Sequence, residues 1–272
     1  MIQERIESLY DHKPASYSEL DYELFSEFIG LLNSGTIRAC EHREGIWKVN
    51  QWIKKGILLG FRMGTLCEQR WGAEKVFFDK HTIMERKFSL SDQIRIVPGG
   101  TSIRNGAYIA AGVAIMPPAF VNIGAYVDAN SMIDSHALVG SCAQIGKNVH
   151  LSAGAMIGGV IEPVGSRPVI IEDDVFVGGN SGIYEGVLVK SKAVIASGTI
   201  ITSSTPVFDM RSGTYLGKDS DGTFQIPAGA VVVAGSRALK AYPDHHVYCP
   251  IIIKYRDEKT DISVLLEQDL RG

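Results

Sequence analysis

From Ile103 to Gly158 an aliphatic residue returns at every sixth position, in the series Ile103, Ile109, Ile115, Val121, Val127, Ile133, Val139, Ile145, Leu151 and Ile157. Four places after each of the first nine stands a small or β-branched residue: Ala107, Val113, Ala119, Ala125, Ser131, Ala137, Ala143, Val149 and Ala155. A period of six fits neither a 3.6-residue helix nor a long two-residue strand, but it does fit short strands separated by tight corners. One such repeat cannot bury its own apolar edge, so successive coils must stack at the strand spacing of about 4.8 Å. The phase resumes at Ile171, runs through Val177, Ile183, Val189, Ile195, Ile201 and Val207, and returns at Ile226 and Val232. The expected fold is therefore an all-β solenoid of parallel strands. Three hexapeptides per coil give roughly six coils and about 29 Å of prism. A narrow prism filled by its own side chains leaves no room inside for a ligand. Function must lie on loops, on flat faces or between subunits.

Little in the composition points elsewhere. A formal net charge of −3 with no Lys/Arg block gives no footprint for nucleic acid. The opening MIQERIESLYDHKP has early acidic residues and no uninterrupted apolar segment, and no 18-residue uncharged apolar run occurs, so neither a secretory signal nor a membrane span is expected. Cys40, Cys67, Cys142 and Cys249 lie far apart without CxxC spacing and read as reduced thiols, as in a cytoplasmic protein.

Residues 1–92 read as a mainly helical N-terminal domain, 93–240 as the β-helix and 241–272 as a small C-terminal domain. Ser16 and Glu19 form a candidate capping box before an apolar helical face from Leu20 to Leu32 that stops at Gly35. Trp47 and Val49 suggest a short strand or turn. Trp52 to Met63 reads as a second apolar segment whose Gly56 and Gly60 permit close packing, and the tryptophans read as core residues. Lys75 to Lys87 is left as a linker. Val247 to Tyr255 reads as one extended strand, and Ile262 to Leu266 as a short element over the end of the prism.

Two guanidinium groups near the prism entrance, Arg95 and Arg104, suit a clamp on a dicarboxylate, because each offers a planar fork of donors. Asp134, on an outward position with His136 two residues later, is the acidic site best suited to accept a proton from an attacking amine. Glycines at 154, 158 and 159 lack the strand, helix and acidic follow-up of a dinucleotide fingerprint and read as corners. His136 and His150 occupy different phases of the repeat, so no zinc site of three imidazoles is expected and no metal is assigned. Two excursions break the phase, Glu162 to Pro168 and Phe208 to Thr223, and loops beside a rigid scaffold are natural binding elements. Lys240, Lys254 and Arg256 are candidates to meet cofactor phosphates.

Longer strings narrow the field beyond the hexapeptides. Trp47 to Arg62, Val121 to Asp128 (VNIGAYVD), Val139 to Gly154 (VGSCAQIGKNVHLSAG), Gly158 to Pro163 (GGVIEP) and Pro227 to Gly235 (PAGAVVVAG) are similar to the tetrahydrodipicolinate N-succinyltransferase family over nearly the whole chain. That resemblance implies a left-handed parallel β-helix, a homotrimer with active sites between adjacent prisms, and an acyl-CoA co-substrate. It further implies acyl transfer to the amino group of the open-chain form of tetrahydrodipicolinate. By the same resemblance Arg95 would hold a substrate carboxylate, and Asp134 would contact the amino group and assist its deprotonation.

One coil departs from the family pattern. Where the family carries Ala-Arg-Ser-Glu, this chain reads Gly179-Asn180-Ser181-Gly182, and a Ser-Thr-Arg becomes Ser204-Thr205-Pro206. The charge lost at Asn180, Gly182 and Pro206 leaves two donors in view, succinyl-CoA and acetyl-CoA. The second would make the chain resemble the acetyltransferase branch of tabtoxin biosynthesis. The remaining alternative is a non-catalytic β-helix binding protein.

Overall fold

The computed structural model describes residues 1–71 and 75–257. The hexapeptides form three parallel sheets, each collecting every third repeat. Ile109 pairs with Val127 and Val127 with Ile145; Ile115 with Ile133 and Ile133 with Leu151; Val121 with Val139 and Val139 with Ile157. An eighteen-residue register on three sheets is a parallel β-helix of triangular section. Every aliphatic residue in the series above is buried, as are all nine small or β-branched residues four places on. All of them except the polar Ser131 belong to one continuous core cluster.

The corners explain why so short a repeat can turn. The residue three places after the aliphatic one takes a left-handed backbone, φ between +54° and +85° at Gly106, Gly112, Gly124, Asn130, His136, Cys142, Asn148, Gly154 and Asn180. Glycine and asparagine adopt that region at least cost.

Both excursions lengthen a coil without breaking the register around it. Ile145 pairs with Ile171, twenty-six residues on instead of eighteen. Val189 pairs with Ile226, thirty-seven residues on. The second excursion contains a hairpin, Phe208–Asp209 against Thr214–Tyr215, that joins the ten-stranded sheet through Ile251–Tyr255.

Among the described residues three α-helices precede the prism: α1 (Ile2–His12), α2 (Glu19–Asn33) and α3 (Gln51–Met63). The cap of α2 is Ser18, whose hydroxyl accepts from the Asp21 N–H while the Asp21 carboxylate accepts from the Ser18 N–H at 2.8 Å. The box thus lies two residues beyond the expected Ser16, because aspartate reaches back as well as glutamate does. Helix α1 was not foreseen: Ile2, Ile6 and Leu9 have helical spacing, but they are diluted by polar neighbours.

Two hairpins complete the region, Cys40–Arg43 with Ile46–Val49 and Leu66–Trp71 with Lys75–Lys80. The second corrects the expected linker, since Val76, Phe77 and Phe78 favour strand and find an antiparallel partner. Helix α3 lies so close to α2 that a Cβ on Gly56 would stand 2.5 Å from the Phe28 ring, and one on Gly60 2.3 Å from the Phe25 ring. Ile57 of α3 reaches the prism at Gly124, and Ile123 and Cys142 belong to the helical core, so helices and prism share packing.

The run from Val247 to Tyr255 is two strands rather than one. His246–Tyr248 pairs with Ser236–Ala238, and Ile251–Tyr255 runs antiparallel to Ala230–Val233 in the ten-stranded sheet, between that strand and the Phe208–Tyr215 hairpin. Pro250, which has no N–H to give a ladder, separates them. The expected element at Ile262 to Leu266 lies outside the described residues. Among the described residues no helix is long and apolar enough to cross a membrane.

Candidate active site

The ten-stranded sheet carries Arg95, Ala114, Met132, His150 and Phe176 in one row of outward positions, set by the pairing of successive coils. Asp134 is the next residue on the same coil after the Met132–Ile133 strand and faces outward like Met132. Its carboxylate accepts from the Ser135 N–H at 2.7 Å, and its second oxygen lies 3.8 Å from His150 Nε2. The Asp134 side chain is 27% exposed and that of His150 only 7%. Phe176 stands edge-on to the imidazole, with ring centroids 5.1 Å apart.

A carboxylate beside a buried imidazole, open to solvent on one side, has the make-up of a proton-accepting pair. Sequence reasoning attached the wrong histidine to Asp134. His136 is an exposed corner residue at φ +62°, whereas His150 stands on the next coil. The available signal was the spacing of sixteen residues, which in an eighteen-residue coil makes two outward residues diagonal neighbours on one face.

Arg95 is exposed on this same face, two strand steps from the Met132 level, roughly 10 Å along the prism. Arg104 is elsewhere. It follows Ser102–Ile103 on a different, six-stranded sheet, and its guanidinium is 2.5 Å from the Asp79 carboxylate of the second hairpin. Within one chain, then, Arg95 and Arg104 do not converge as the expected clamp, because the prism turns a corner between them and Arg104 holds the hairpin.

A cleft of about 910 Å³ lies between the two excursions, on the edge shared by the two six-stranded sheets. Gly158, Gly159 and Tyr184 form its floor, Arg167 of the first excursion and Lys218 of the second contribute cations, and Thr202 and Ser203 close one end. The first excursion is held from beneath by Lys54 of α3, fully buried, whose ammonium donates to the Ser166 carbonyl at 2.5 Å. Burial holds the Lys54 ammonium below the usual lysine range. That tie was invisible in the sequence, since a lysine on an apolar helix face gives no sign of the carbonyl it meets.

Other expected residues are dispersed. Lys240 is exposed in the turn between Ser236–Ala238 and His246–Tyr248. Lys254 is on Ile251–Tyr255, ion-paired with Asp257 at 3.0 Å. Asn180 is a corner residue whose side-chain oxygen covers Gly154. Gly182 is buried on a six-stranded face, and the Pro206 carbonyl accepts from the Cys249 thiol at 3.2 Å. Arg256 donates to the Asp174 carbonyl at 3.0 Å, which makes it a tie between coils. Trp47, expected in the core, is half-buried and donates to Glu172 at 2.9 Å.

Comparison with known proteins agrees with this architecture. Residues 1–63 match the tetrahydrodipicolinate N-succinyltransferase N-terminal family, and residues 168–203 match the hexapeptide repeat of succinyl-transferase. A 2,3,4,5-tetrahydropyridine-2,6-dicarboxylate N-succinyltransferase of Pectobacterium atrosepticum is 43% identical, over 100% of this chain and 97% of its own length. Proteins of the same name from Edwardsiella ictaluri and Ralstonia pickettii are 44% and 46% identical. The first alignment covers 99% of this chain and 98% of the relative, the second 92% and 89%. Among solved structures, a putative 2,3,4,5-tetrahydropyridine-2-carboxylate N-succinyltransferase from Campylobacter jejuni aligns over 92% of this chain and 65% of that one, with 16% identity and a TM-score of 0.45.

Proposed function

We propose that this chain, which belongs to the tetrahydrodipicolinate N-succinyltransferase family, transfers a succinyl group from succinyl-CoA to the amino group of open-chain tetrahydrodipicolinate. In this reading the amine nitrogen attacks the thioester carbonyl, a C–N bond forms, and the C–S bond breaks to release CoA thiolate. Asp134 takes the proton that the nitrogen must lose, with His150 beside it to share the charge. Arg95 holds a carboxylate of the acceptor. Orientation of the two substrates supplies much of the acceleration, as in other direct transfers.

The observation that carries the reading is the Asp134–His150 pair on an open face that also bears Arg95. The 910 Å³ cleft, the natural place for a long acyl-CoA, lies on a different edge of the same prism. A transferase needs donor and acceptor in contact, so we take the working site to be shared between copies, the Asp134 edge of one facing the cleft edge of the next. A head-to-tail contact of that kind closes into a ring of three when each copy is rotated by a third of a turn, which would match the three-sided prism. The coil is taken to be left-handed, against the usual hand of parallel crossovers. In this reading Lys240 would meet a CoA phosphate; Lys254 would first have to leave Asp257.

A second donor, acetyl-CoA, is kept in view for one reason. Asn180, Gly182 and Pro206 bring no charge to receive the distal carboxylate of a succinyl group. The test is release of free CoA thiol in the presence of tetrahydrodipicolinate, with succinyl-CoA and acetyl-CoA at matched concentrations and each product identified by mass. A succinyl preference supports the reading. An acetyl preference moves the chain to N-acetyl transfer, and no release with either donor removes both.

A further inference from the structure

We infer that Tyr184 is a specificity-determining residue, the wall that sets how long an acyl group the cleft accepts. Tyr184 follows Gly182–Ile183 on a six-stranded sheet, where Gly182 pairs with Met156 and Ile183 with Ile157, so the residue beside Tyr184 on the preceding coil is Gly158. The tyrosine ring bends back across this face and covers both glycines. A Cβ on Gly182 would stand 2.4 Å from Tyr184 Cε2 and 2.7 Å from its hydroxyl oxygen. A Cβ on Gly158 would stand 2.7 Å from Cδ1. None of these three distances is one that real Cβ atoms adopt, so the ring lies where it does because both positions lack a side chain.

At Gly182 the three nearest atoms to such a Cβ all belong to the Tyr184 side chain, whereas at Gly158 the Ile183 carbonyl and the Tyr184 Cα also stand at 3.3 Å. Gly158 and Gly182 are absent from the positive-φ residues, unlike Gly154 and Gly186 at the neighbouring corners, so any residue fits their conformation. What they supply is space, and the ring takes it. Tyr184 is nevertheless not a core residue: it is half-buried and lines the 910 Å³ cleft. Its hydroxyl forms no hydrogen bond with any described residue. One face of the ring therefore rests on the two glycines, and the rest bounds the space open to a ligand.

The inference rests on the reading that the acyl end of an acyl-CoA enters this cleft. A rigid wall there fixes the length of chain that fits. In a close-fitting pocket, one methylene more or less changes kcat/KM by about ten- to two-hundred-fold. Glycines beneath the ring let it lie low, and a larger residue beneath would raise it into the cleft.

The experiment uses the full chain and three donors, acetyl-CoA, succinyl-CoA and glutaryl-CoA, with tetrahydrodipicolinate as acceptor and CoA thiol release as readout. Tyr184→Ala is expected to raise the glutaryl-to-succinyl ratio of kcat/KM at least about ten-fold, whereas Tyr184→Phe, which keeps the ring, leaves that ratio within about two-fold of the parent. Gly182→Ala is the opposite perturbation: its methyl group lifts the ring, and preference moves toward acetyl-CoA. A Tyr184→Ala ratio within two-fold of the parent, or a Gly182→Ala shift toward the longer donor, overturns the inference. Should the parent chain transfer none of the three groups, the proposed activity fails separately, and calorimetric affinities of parent and Tyr184→Ala for the same three donors decide. An unshifted affinity ratio then overturns the wall, and a ten-fold shift toward glutaryl-CoA upholds it.

Discussion

Replacing Asp134 by Asn tests the proposed chemistry with little disturbance of the fold. The asparagine carbonyl can still accept from the Ser135 N–H, now 2.7 Å from the carboxylate, and the side chain keeps its shape. What disappears is the ability to take a proton. A positioned general base contributes about 10²- to 10⁴-fold, or about 2.7–5.5 kcal/mol of barrier, and kcat/KM is expected to fall by that amount while the assembly keeps its size on a sizing column. In the proposed chemistry His150 would act through Asp134, from which it stands 3.8 Å, beyond hydrogen-bond length. If protonated it would attract the carboxylate by at most about 4 kcal/mol at an effective dielectric constant near 20, so His150→Gln should cost less, about 10- to 100-fold. Because the two groups act on one proton, the double variant should be no slower than Asp134→Asn alone. Single-turnover CoA release with both single variants and the double variant measures all three quantities. An Asp134→Asn enzyme within about three-fold of the parent, or losses that multiply in the double variant, would show that the pair is not the proton acceptor.

Three further outcomes follow from the packing around the site. Gly56→Ala gains about 1 kcal/mol of helix propensity but drives a methyl group into the Phe28 ring, 2.5 Å away. Overpacking costs about 1–3 kcal/mol, so thermal unfolding should move down by a few degrees, and a rise would contradict the close approach of α2 and α3. Burial pushes the Cys142 thiol up to about 12 and the Cys40 thiol up to about 11. Together with buried Cys249, these should resist iodoacetamide at pH 8, leaving the half-exposed Cys67 to react; native mass spectrometry showing an adduct on Cys142 would refute the packing. Lys54→Met removes both a buried ammonium and its bond to Ser166, so overall stability should change little while hydrogen exchange across 162–168 accelerates and the KM for acyl-CoA rises. Unchanged exchange in that segment would show that the lysine does not hold the excursion.

The prism was legible because its information is local and repeated. Each hexapeptide carries the same instruction, an aliphatic residue inside and a small one at the turn, and nineteen copies leave no competing period. The first region lacks that redundancy. Helix α1 is polar along most of its length, the Leu66–Trp71 strand needs its partner to be recognised, and the α2 box uses Ser18 and Asp21 in place of the expected Ser16 and Glu19. Arg104 was misjudged for a related reason: a cation near a candidate site and a cation tying a hairpin look identical until Asp79 is seen opposite it.

The site itself shows where a repeat helps and where it stops helping. Once a coil is known to be eighteen residues, outward positions sixteen, eighteen or twenty apart are neighbours, and the Asp134–His150 pair follows from counting. Counting fails at the excursions, where twenty-six and thirty-seven residues replace eighteen and the walls of the cleft come from segments with no shared phase. On the proposed reading the proton-accepting pair is therefore written in the coils, while donor selectivity is written in the insertions and in the few coil positions beneath them. Gly158 and Gly182 belong to that second group. In the sequence they read as two glycines among many; in the structure they leave the space that the Tyr184 ring occupies. A change in donor preference on this scaffold needs no rebuilt core, only a different residue under one ring.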